Sequence, residues 1–432
     1  MNGADKLLNS SIKTNLCCHC GACAGLCPVG AITVNRNIVS VSSEKCVDCG
    51  LCVYCCPACG YRLSDLTLED IKELPVFAAC SVDPNVSSEA SSGGFVTQTL
   101  LSLLDNNEIT AAAVVTTGDN LNEASSKYTV TSSREDILSA RRSKYTQATI
   151  DNVIDHIKNN DGSYAVVGLP CQLYAVTRAA ERVPSLKSRI KYKIGMVCGY
   201  TYNEECIDGL IKVLGTSREN VKAVLGWREG GLPGNFSVML KNGEALSMPF
   251  ADEHSVDVTY YAQNRCLLCK DCLCEYGDVV CADIGGWADK KTLVIVRNKI
   301  GSELLNKVKA YGKLTAEECN IPFEKTVLPF MLREKRAKTD LRLKKNKKRG
   351  IPTTNFVGGY VPKLLASQKI EALLSSGLQE KARRNCEKHS RRQMLKIGHM
   401  SYHKLSSMFI LKVLFKLQIY FSAATKKFFG AL

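Results

Sequence analysis

Cysteines are the residues of this chain best suited to chemistry, and the first sixty positions hold the most ordered of them. Cys17-Cys-His-Cys-Gly-Ala-Cys-Ala-Gly-Leu-Cys-Pro28 has the spacing C-x2-C-x2-C-x3-C-P, the run that presents thiolates to a 4Fe-4S cubane. The pattern returns 29 residues later as Cys46, Cys49, Cys52, Cys56 and Pro57. Recurrence of every ligand and of the proline at one offset marks an internal repeat. In two-cluster modules the fourth cysteine of each run serves the other cluster. The expected ligand sets are therefore Cys17, Cys20, Cys23 and Cys56 for one cluster, and Cys46, Cys49, Cys52 and Cys27 for the other. Soft iron needs thiolates converging from several directions, and turns at Gly21 and Gly50 let backbone amides point at the sulfurs. Structural zinc would accept isolated Cys-x2-Cys pairs. Eight ligands in two registered runs, each closing on Cys-Pro, argue against it. Cys18, Cys55 and Cys59 are left over and are expected either to support the ligands from beside them or to be buried as small hydrophobes.

The elements that must position these residues read as follows. Residues 31–41 form a short hairpin packing over the clusters, and residues 64–72 a polar, acidic connector. Beyond it, residues 111–117, 164–169, 191–197 and 292–296 are short apolar runs rich in Val and Ile, most of them followed by turn chemistry or a helical pattern. Residues 236–240 and 245–248 flank Lys241-Asn-Gly-Glu244, an Asn-Gly hairpin signal, so some antiparallel structure is expected. The fold class predicted is an α+β ferredoxin-like two-cluster module, a mixed α/β body, and a helical, basic C-terminal tail.

Four features of the body carry candidate chemistry. Ser91-Ser-Gly-Gly-Phe95 opens an apolar helix, whose N-terminus favours a phosphate, although Ser-Gly caps are common without one. Arg141-Arg-Ser-Lys-Tyr145 gathers three cations and a ring, suited to phosphates or simply to an exposed turn. Gly168-Leu-Pro-Cys-Gln172 ends a strand and starts a helix, placing Cys171 where the dipole favours a thiolate; a buried structural cysteine is the plainer reading. Cys266-Leu-Leu-Cys-Lys-Asp-Cys-Leu-Cys274, followed by Cys281, leaves zinc, a third cluster, or a mixture with distant Cys171 and Cys198 all open.

Composition narrows the compartment and the partners. Twenty-two cysteines in a chain of 432 residues, with no signal-like segment ahead of Cys17, predict a reducing, cytoplasmic setting in which the thiols serve metals. The formal charge of +15 resembles a nucleic-acid footprint, but residues 333–432 hold 24 of the 57 Lys and Arg and only five of the 42 Asp and Glu. The body is mildly acidic, so no nucleic-acid partner is expected, and the excess belongs to the tail. Residues 333–349 read as a solvated basic run. Residues 407–421 are apolar around Lys412 and Lys416, too short and too charged for a span of roughly 20 apolar residues. They suit an interfacial helix on an anionic membrane surface, a partner-docked helix, or one folded back on the body.

In this order the segments resemble the coenzyme F-420 hydrogenase/dehydrogenase beta-subunit family over most of residues 15–330. The matching elements are the paired ferredoxin runs, Ala90-Ser-Ser-Gly-Gly94, Ser143-Lys-Tyr145, Gly168-Leu-Pro-Cys-Gln172, Met196-Val-Cys198, and Arg265-Cys-Leu-Leu-Cys-Lys-Asp271 with Ala282-Asp-Ile284. Departures from the pattern are the extra Cys272, Cys274 and Cys281, and Ile284-Gly-Gly-Trp287 where a Gly-Asp pair is expected. The resemblance implies FAD near Ser92, Gly93, Gly94, Lys144 and Tyr145, and a third 4Fe-4S cluster drawn from Cys171, Cys198, Cys266 and Cys269. It implies domains at 1–62 (ferredoxin), 75–155 (flavin-associated), 156–332 (C-terminal body) and 333–432 (tail). The function it implies is oxidoreduction: electrons exchanged between clusters and FAD, to or from a deazaflavin-like or other organic substrate, with a redox partner protein or reduced ferredoxin. The alternatives are a non-catalytic electron-relay subunit and a polysaccharide-biosynthesis-associated redox protein of the same family.

Overall fold

Thr292–Val296 is buried at all five positions, a pattern that suits only a strand covered on both faces. The computed structural model, which describes residues 1–35, 38–118, 121, 124–285 and 290–402, sets it in an eight-stranded sheet. The strand order is Leu314–Glu318, Val76–Ser81, Thr292–Val296, Val279–Asp283, Ile190–Met196, Tyr164–Gly168, Ala111–Thr116 and Lys127–Thr131. The four strands from Val279–Asp283 to Ala111–Thr116 run parallel, and the outer pairings are antiparallel. All four apolar runs read from the sequence are strands of this sheet. The boundary expected near residue 155 falls between strands of one sheet, because both body segments contribute to it.

Alternation along each strand divides the interior into two cores. Ala112, Val114, Ala165 and Val294 face the helices Phe95–Asp105 and Lys299–Ala310. Ala113, Val166, Leu293 and Ile295 face Asp151–Asn159 and Pro170–Ala180. The N-terminal module sits on this second side, where Cys20 O accepts from Ile150 N–H at 2.7 Å. At Gly25 a Cβ would meet Asp151 O at 2.4 Å, so the module's helix Ala22–Leu26 can approach Asp151–Asn159 only without a side chain there. The expected hairpin is present as Ile32–Asn35 and Ile38–Val41.

A separate three-stranded antiparallel sheet, Val221–Glu229, Asn235–Leu240 and Ala245–Pro249, includes the Asn-Gly hairpin. Trp227, Phe236 and Val238 pack there against Leu210, Val256 and Met394. Met394 comes from the tail, whose helices Ala366–Arg384 and Arg391–Tyr402 lie on Phe250–Tyr260.

The basic run at 333–349 corrects the expectation of a solvated segment. It forms the helical stretches Leu332–Ala337 and Lys338–Lys348, and Lys335, Arg336, Lys338 and Arg342 are all buried. Acceptors, most of them from far along the chain, make this possible: Arg336 pairs with Glu275, Lys338 with Glu371 and with Glu334 one turn away, and Arg342 donates to Leu267 O. Arg336 and Glu275 are 1 % and 3 % exposed, so Arg336→Met leaves an uncompensated buried carboxylate and is expected to lower unfolding stability by about 3–5 kcal/mol. Denaturant unfolding measures this; a loss below about 1 kcal/mol would place the pair in water. Residues 407–421 lie outside the described residues. Among the described residues no helix is long and apolar enough to cross a membrane.

Candidate functional site

Two small cavities open in the N-terminal module. Cys17, Cys20, Cys23 and Cys56 line one, and Cys27, Cys46, Cys49 and Cys52 line the other. The fourth cysteine of each run faces the other run's cavity. The 29-residue repeat is visible in the backbone: His19 and Asp48 have φ of 52° and 53°, Gly21 and Gly50 of 78° and 71°. These turns aim amides at sulfur, His19 N–H at Cys17 Sγ (3.3 Å) and Asp48 N–H at Cys46 Sγ (3.4 Å). Cys49 and Val47 are exposed beside the second cavity, whereas the first lies inward with buried Cys18, Cys20 and Cys55 at its wall. Residues 1–12, to which the sequence assigned no element, supply Gly3–Leu7 and Leu8–Ile12, which cover both cavities. Burial pushes the Cys17 thiol up to about 12, and a hydrogen bond with Cys59 brings Cys56 down to about 7.

Cys18 is buried beside the ligands, as expected. It lines the inner cavity, and the neighbouring thiols of Cys171 and Cys20 hold it well below the usual thiol range. The nearby Cys18, together with burial, drives Cys171 well above that range. A helix N-terminus does favour a thiolate, but here the neighbouring thiol and burial outweigh it.

Topology gathers the body cysteines. Tyr164–Gly168 and Ile190–Met196 are adjacent parallel strands, so Cys171 and Cys198, each just past a strand's C-terminal end, emerge side by side, where open α/β sheets place their sites. Cys266 and Cys269 arrive on Asn264–Leu267 and the turn after it. Thr201 Oγ1 lies 3.3 Å from Cys266 Sγ, and Gln263 N–H donates to Thr201 O. Cys198 and Cys266 lie close enough to Cys171 to help raise it, and Cys266 and Cys269 do the same for Cys198. Cys272 and Cys274 are fully buried; Cys272 O accepts from Cys198 N–H at 3.1 Å, bracing that loop. Arg265, 2 % exposed, donates Nη2 to Pro57 O at 3.1 Å, while its Nε and Nη1 find no acceptor among the described residues.

Cys198 also lines a large cavity, of about 970 Å³. Ser92, Gly94, Lys144 and Tyr145 line it too. Gly93 lies behind them against the sheet, where a Cβ would meet Ala79 O at 2.2 Å and Thr292 N at 2.7 Å. Thr292 Oγ1 accepts from Gly93 N–H and contacts Ser92 Oγ, both at 3.0 Å. Ser91 Oγ accepts from Ser143 N–H at 2.9 Å, tying the Ser-Gly loop to the cationic segment. The cations there are held by the protein itself. Lys144 Nζ donates to backbone carbonyls including Ser139 O (3.4 Å), and burial with Arg142 and Arg141 nearby brings it down to about 7. Arg142 pairs with Glu89 and Glu229.

Several lining residues were not foreseen from the sequence. Arg228 pairs with Asp283 at 2.7 Å and stands over the Phe250 ring. Tyr200, His254 and Lys335 also line the cavity. No local pattern marks any of them, because they reach it from separate elements.

Behind Phe250 and His254, Glu253 and Asp257 are fully buried one turn apart. Burial raises both, Glu253 to about 8 and Asp257 well above the carboxylate range, where the neighbouring Glu253 charge pushes it further. A carboxyl whose folded value is raised stabilises fully below its ordinary value of 4.5 and loses that contribution as pH rises through about 8. Glu253→Gln is therefore expected to flatten the decline of melting temperature across that window. An unchanged pH slope would show that the pair does not titrate with unfolding.

Comparison with known proteins agrees with this architecture. Residues 76–155 match the N-terminal model of the coenzyme F420 hydrogenase/dehydrogenase beta subunit. Residues 161–321 match the C-terminal model of the same family, and residues 11–33 a 4Fe-4S binding domain. The chain is 27% identical over 311 residues to an F(420)H(2) dehydrogenase subunit from Methanosarcina mazei, covering 69% of this chain and 84% of that one. It is 25% identical to the coenzyme F420-dependent sulfite reductase of Methanocaldococcus jannaschii, covering 72% of this chain but only 49% of the relative. A chain of the F420-reducing [NiFe] hydrogenase complex from Methanosarcina barkeri shares the fold, with a TM-score of 0.53 at 22% identity over 66% of this chain and 95% of that one. With both halves of one family's model matched in order behind a 4Fe-4S binding domain, the chain belongs to the coenzyme F420 hydrogenase/dehydrogenase beta-subunit family.

Proposed function

We propose that the chain is an iron–sulfur flavoprotein oxidoreductase, exchanging electrons between 4Fe-4S clusters and FAD, to or from a deazaflavin-like or other organic ring substrate. One observation carries the reading: the cysteine groups form a continuous series that ends on the wall of the large cavity. The solvent-facing set is Cys27, Cys46, Cys49 and Cys52, and the inward set is Cys17, Cys20, Cys23 and Cys56. Cys18 and Cys171 perturb each other's protonation between the inward set and the body set, and Cys198 belongs to both that set and the cavity.

The residues fit the groups proposed. The outer cavity of the module presents four thiols around a volume, and the inner one six, Cys18 and Cys55 among them, enough for a cubane in each. The unpartnered Nε and Nη1 of Arg265, beside Cys18, Cys171, Cys266 and Cys269, ask for a buried anion, which a thiolate-ligated cluster of Cys171, Cys198, Cys266 and Cys269 would be. The large cavity lies within the range of cofactor sites. At the head of Phe95–Asp105 the cavity-lining Ser92 and Gly94 offer polar groups to a pyrophosphate, with Gly93 directly behind them. Lys144 and Tyr145 stand across from them, and Gly93 keeps the loop tight on the sheet.

A flavin, when bound, converts one-electron into two-electron transfer. The protein's part is to hold cluster and ring close through Cys198, and to keep water out with Phe250, Phe330 and Met331. The relatives' names point to coenzyme F420 as the ring substrate class, with a partner protein at the Cys49 face as the electron source or sink.

Anaerobic purification followed by a visible spectrum, iron and acid-labile sulfide counts, and acid release of flavin tests this reading. About twelve irons for three cubanes with one flavin is expected. A colourless protein, or iron without flavin, sinks it. Flavin also separates the oxidoreductase from a pure relay subunit.

A further inference from the structure

Lys335 is only 1 % exposed, and among the described residues no carboxylate pairs with it. The neighbouring cations Arg336 and Lys338 do have carboxylate partners, Glu275 for one and Glu334 with Glu371 for the other. Lys335 Nζ instead donates to Cys266 O at 2.5 Å and stands 4.2 Å from the centre of the Tyr200 ring. The same side chain lines the large cavity. Burying an ammonium is costly unless a negative charge sits within reach. Lys335 is held against the Cys266 loop through that carbonyl, so the charge within its reach is the one that a thiolate-ligated cluster on the cysteine group would carry.

We infer that Lys335 is the counter-cation of the cluster held by Cys171, Cys198, Cys266 and Cys269, raising that cluster's reduction potential at the point where electrons pass to or from the cavity. The inference rests on the body-cluster reading above. A fixed positive charge beside a low-dielectric site stabilises the added electron of the reduced cluster, and net local charge is one of the levers that set such potentials. Lys335 is a positioning residue in this scheme, acting on the cluster rather than on substrate. It lies beyond residue 321, where the match to the family's C-terminal model ends. Electron delivery in this chain is thereby coupled to correct docking of its tail.

The test is a potentiometric titration of the full-length, anaerobically purified protein, read by electron paramagnetic resonance of the reduced clusters. Lys335→Gln keeps an N–H donor for Cys266 O and removes the charge; Lys335→Met removes both and serves if the first variant fails to fold. Either is expected to lower one midpoint by at least a tenfold change in the reduced-to-oxidised ratio, about 59 mV for one electron, leaving the midpoints of the N-terminal module in place. Lys335→Arg is expected to stay near wild type. Unmoved midpoints, or an Arg variant displaced as far as the Gln variant, overturn the role of charge at Lys335. A wild-type iron content near eight per chain, two cubanes, overturns the body cluster itself, so the two failures are distinguishable.

Discussion

Cys198→Ala is expected to remove about four of twelve irons and to stop electrons that enter at the N-terminal module from reaching the flavin. Cys198 is the one cysteine of the proposed body set that also lines the large cavity, so its loss takes both a ligand and the near end of the path. The variant should retain the visible absorption of the other two clusters and its released flavin, while a protein reductant docking at the Cys49 face no longer bleaches the flavin. Cys206→Ala is the matched control. Cys206 is fully buried, on the helix Glu205–Leu214, and is outside the proposed ligand sets. It should keep full iron and show only the stability loss of a small cavity. Iron content indistinguishable between the two variants would remove Cys198 from the ligand set.

Gly93→Ala is expected to eliminate flavin binding while sparing the iron of the N-terminal module. The added methyl would meet Ala79 O at 2.2 Å and Thr292 N at 2.7 Å. Both are backbone atoms of paired central strands, so neither can swing aside as a flexible side chain would. Relief requires the Ser-Gly loop to lift, breaking Ser81 N–H to Gly93 O (2.8 Å) and Gly93 N–H to Thr292 Oγ1 (3.0 Å). Overpacking of this kind costs about 1–3 kcal/mol, and each broken bond about 1 kcal/mol more. The measurement is the ratio of released flavin to iron, alongside the melting temperature. A variant with wild-type flavin and melting temperature would show that the loop tolerates a side chain and does not cradle the flavin.

The two variants also separate what is local from what is assembled. The thiol runs at 17–28 and 46–57 were legible because their geometry is encoded within a dozen residues. Gly21 and Gly50 set the turns, and the x2-x2-x3 spacing sets where the sulfurs point. The crossed arrangement of Cys27 and Cys56 followed from the repeat. The strands at Tyr164–Gly168, Ile190–Met196 and Thr292–Val296, and the helix Phe95–Asp105 behind the Ser-Gly loop, were legible for the same reason: short-range pattern is enough to specify them. Gly93 belongs to both categories. Its place in a Ser-Gly loop was plain, but its need to be glycine comes from Ala79, which no local rule brings near.

Lys335 shows where sequence reasoning fails. A run with ten cations in residues 333–349 reads as solvated because charge normally seeks water. Its acceptors, Glu275 for Arg336 and Cys266 O for Lys335, lie roughly sixty to seventy residues earlier, and only folding makes burial of those cations cheaper than exposure.

By itself the sequence determined the two registered cysteine runs, the α/β character of the body and the Ser-Gly loop at a helix start, because each is a property of neighbouring residues. The tertiary structure alone decided that Cys171 and Cys198 follow adjacent parallel strands, that Cys198 opens onto a cavity, and that the tail supplies a buried cation. Those depend on which strands lie side by side and on contacts between distant segments, and such contacts leave no periodic trace along the chain.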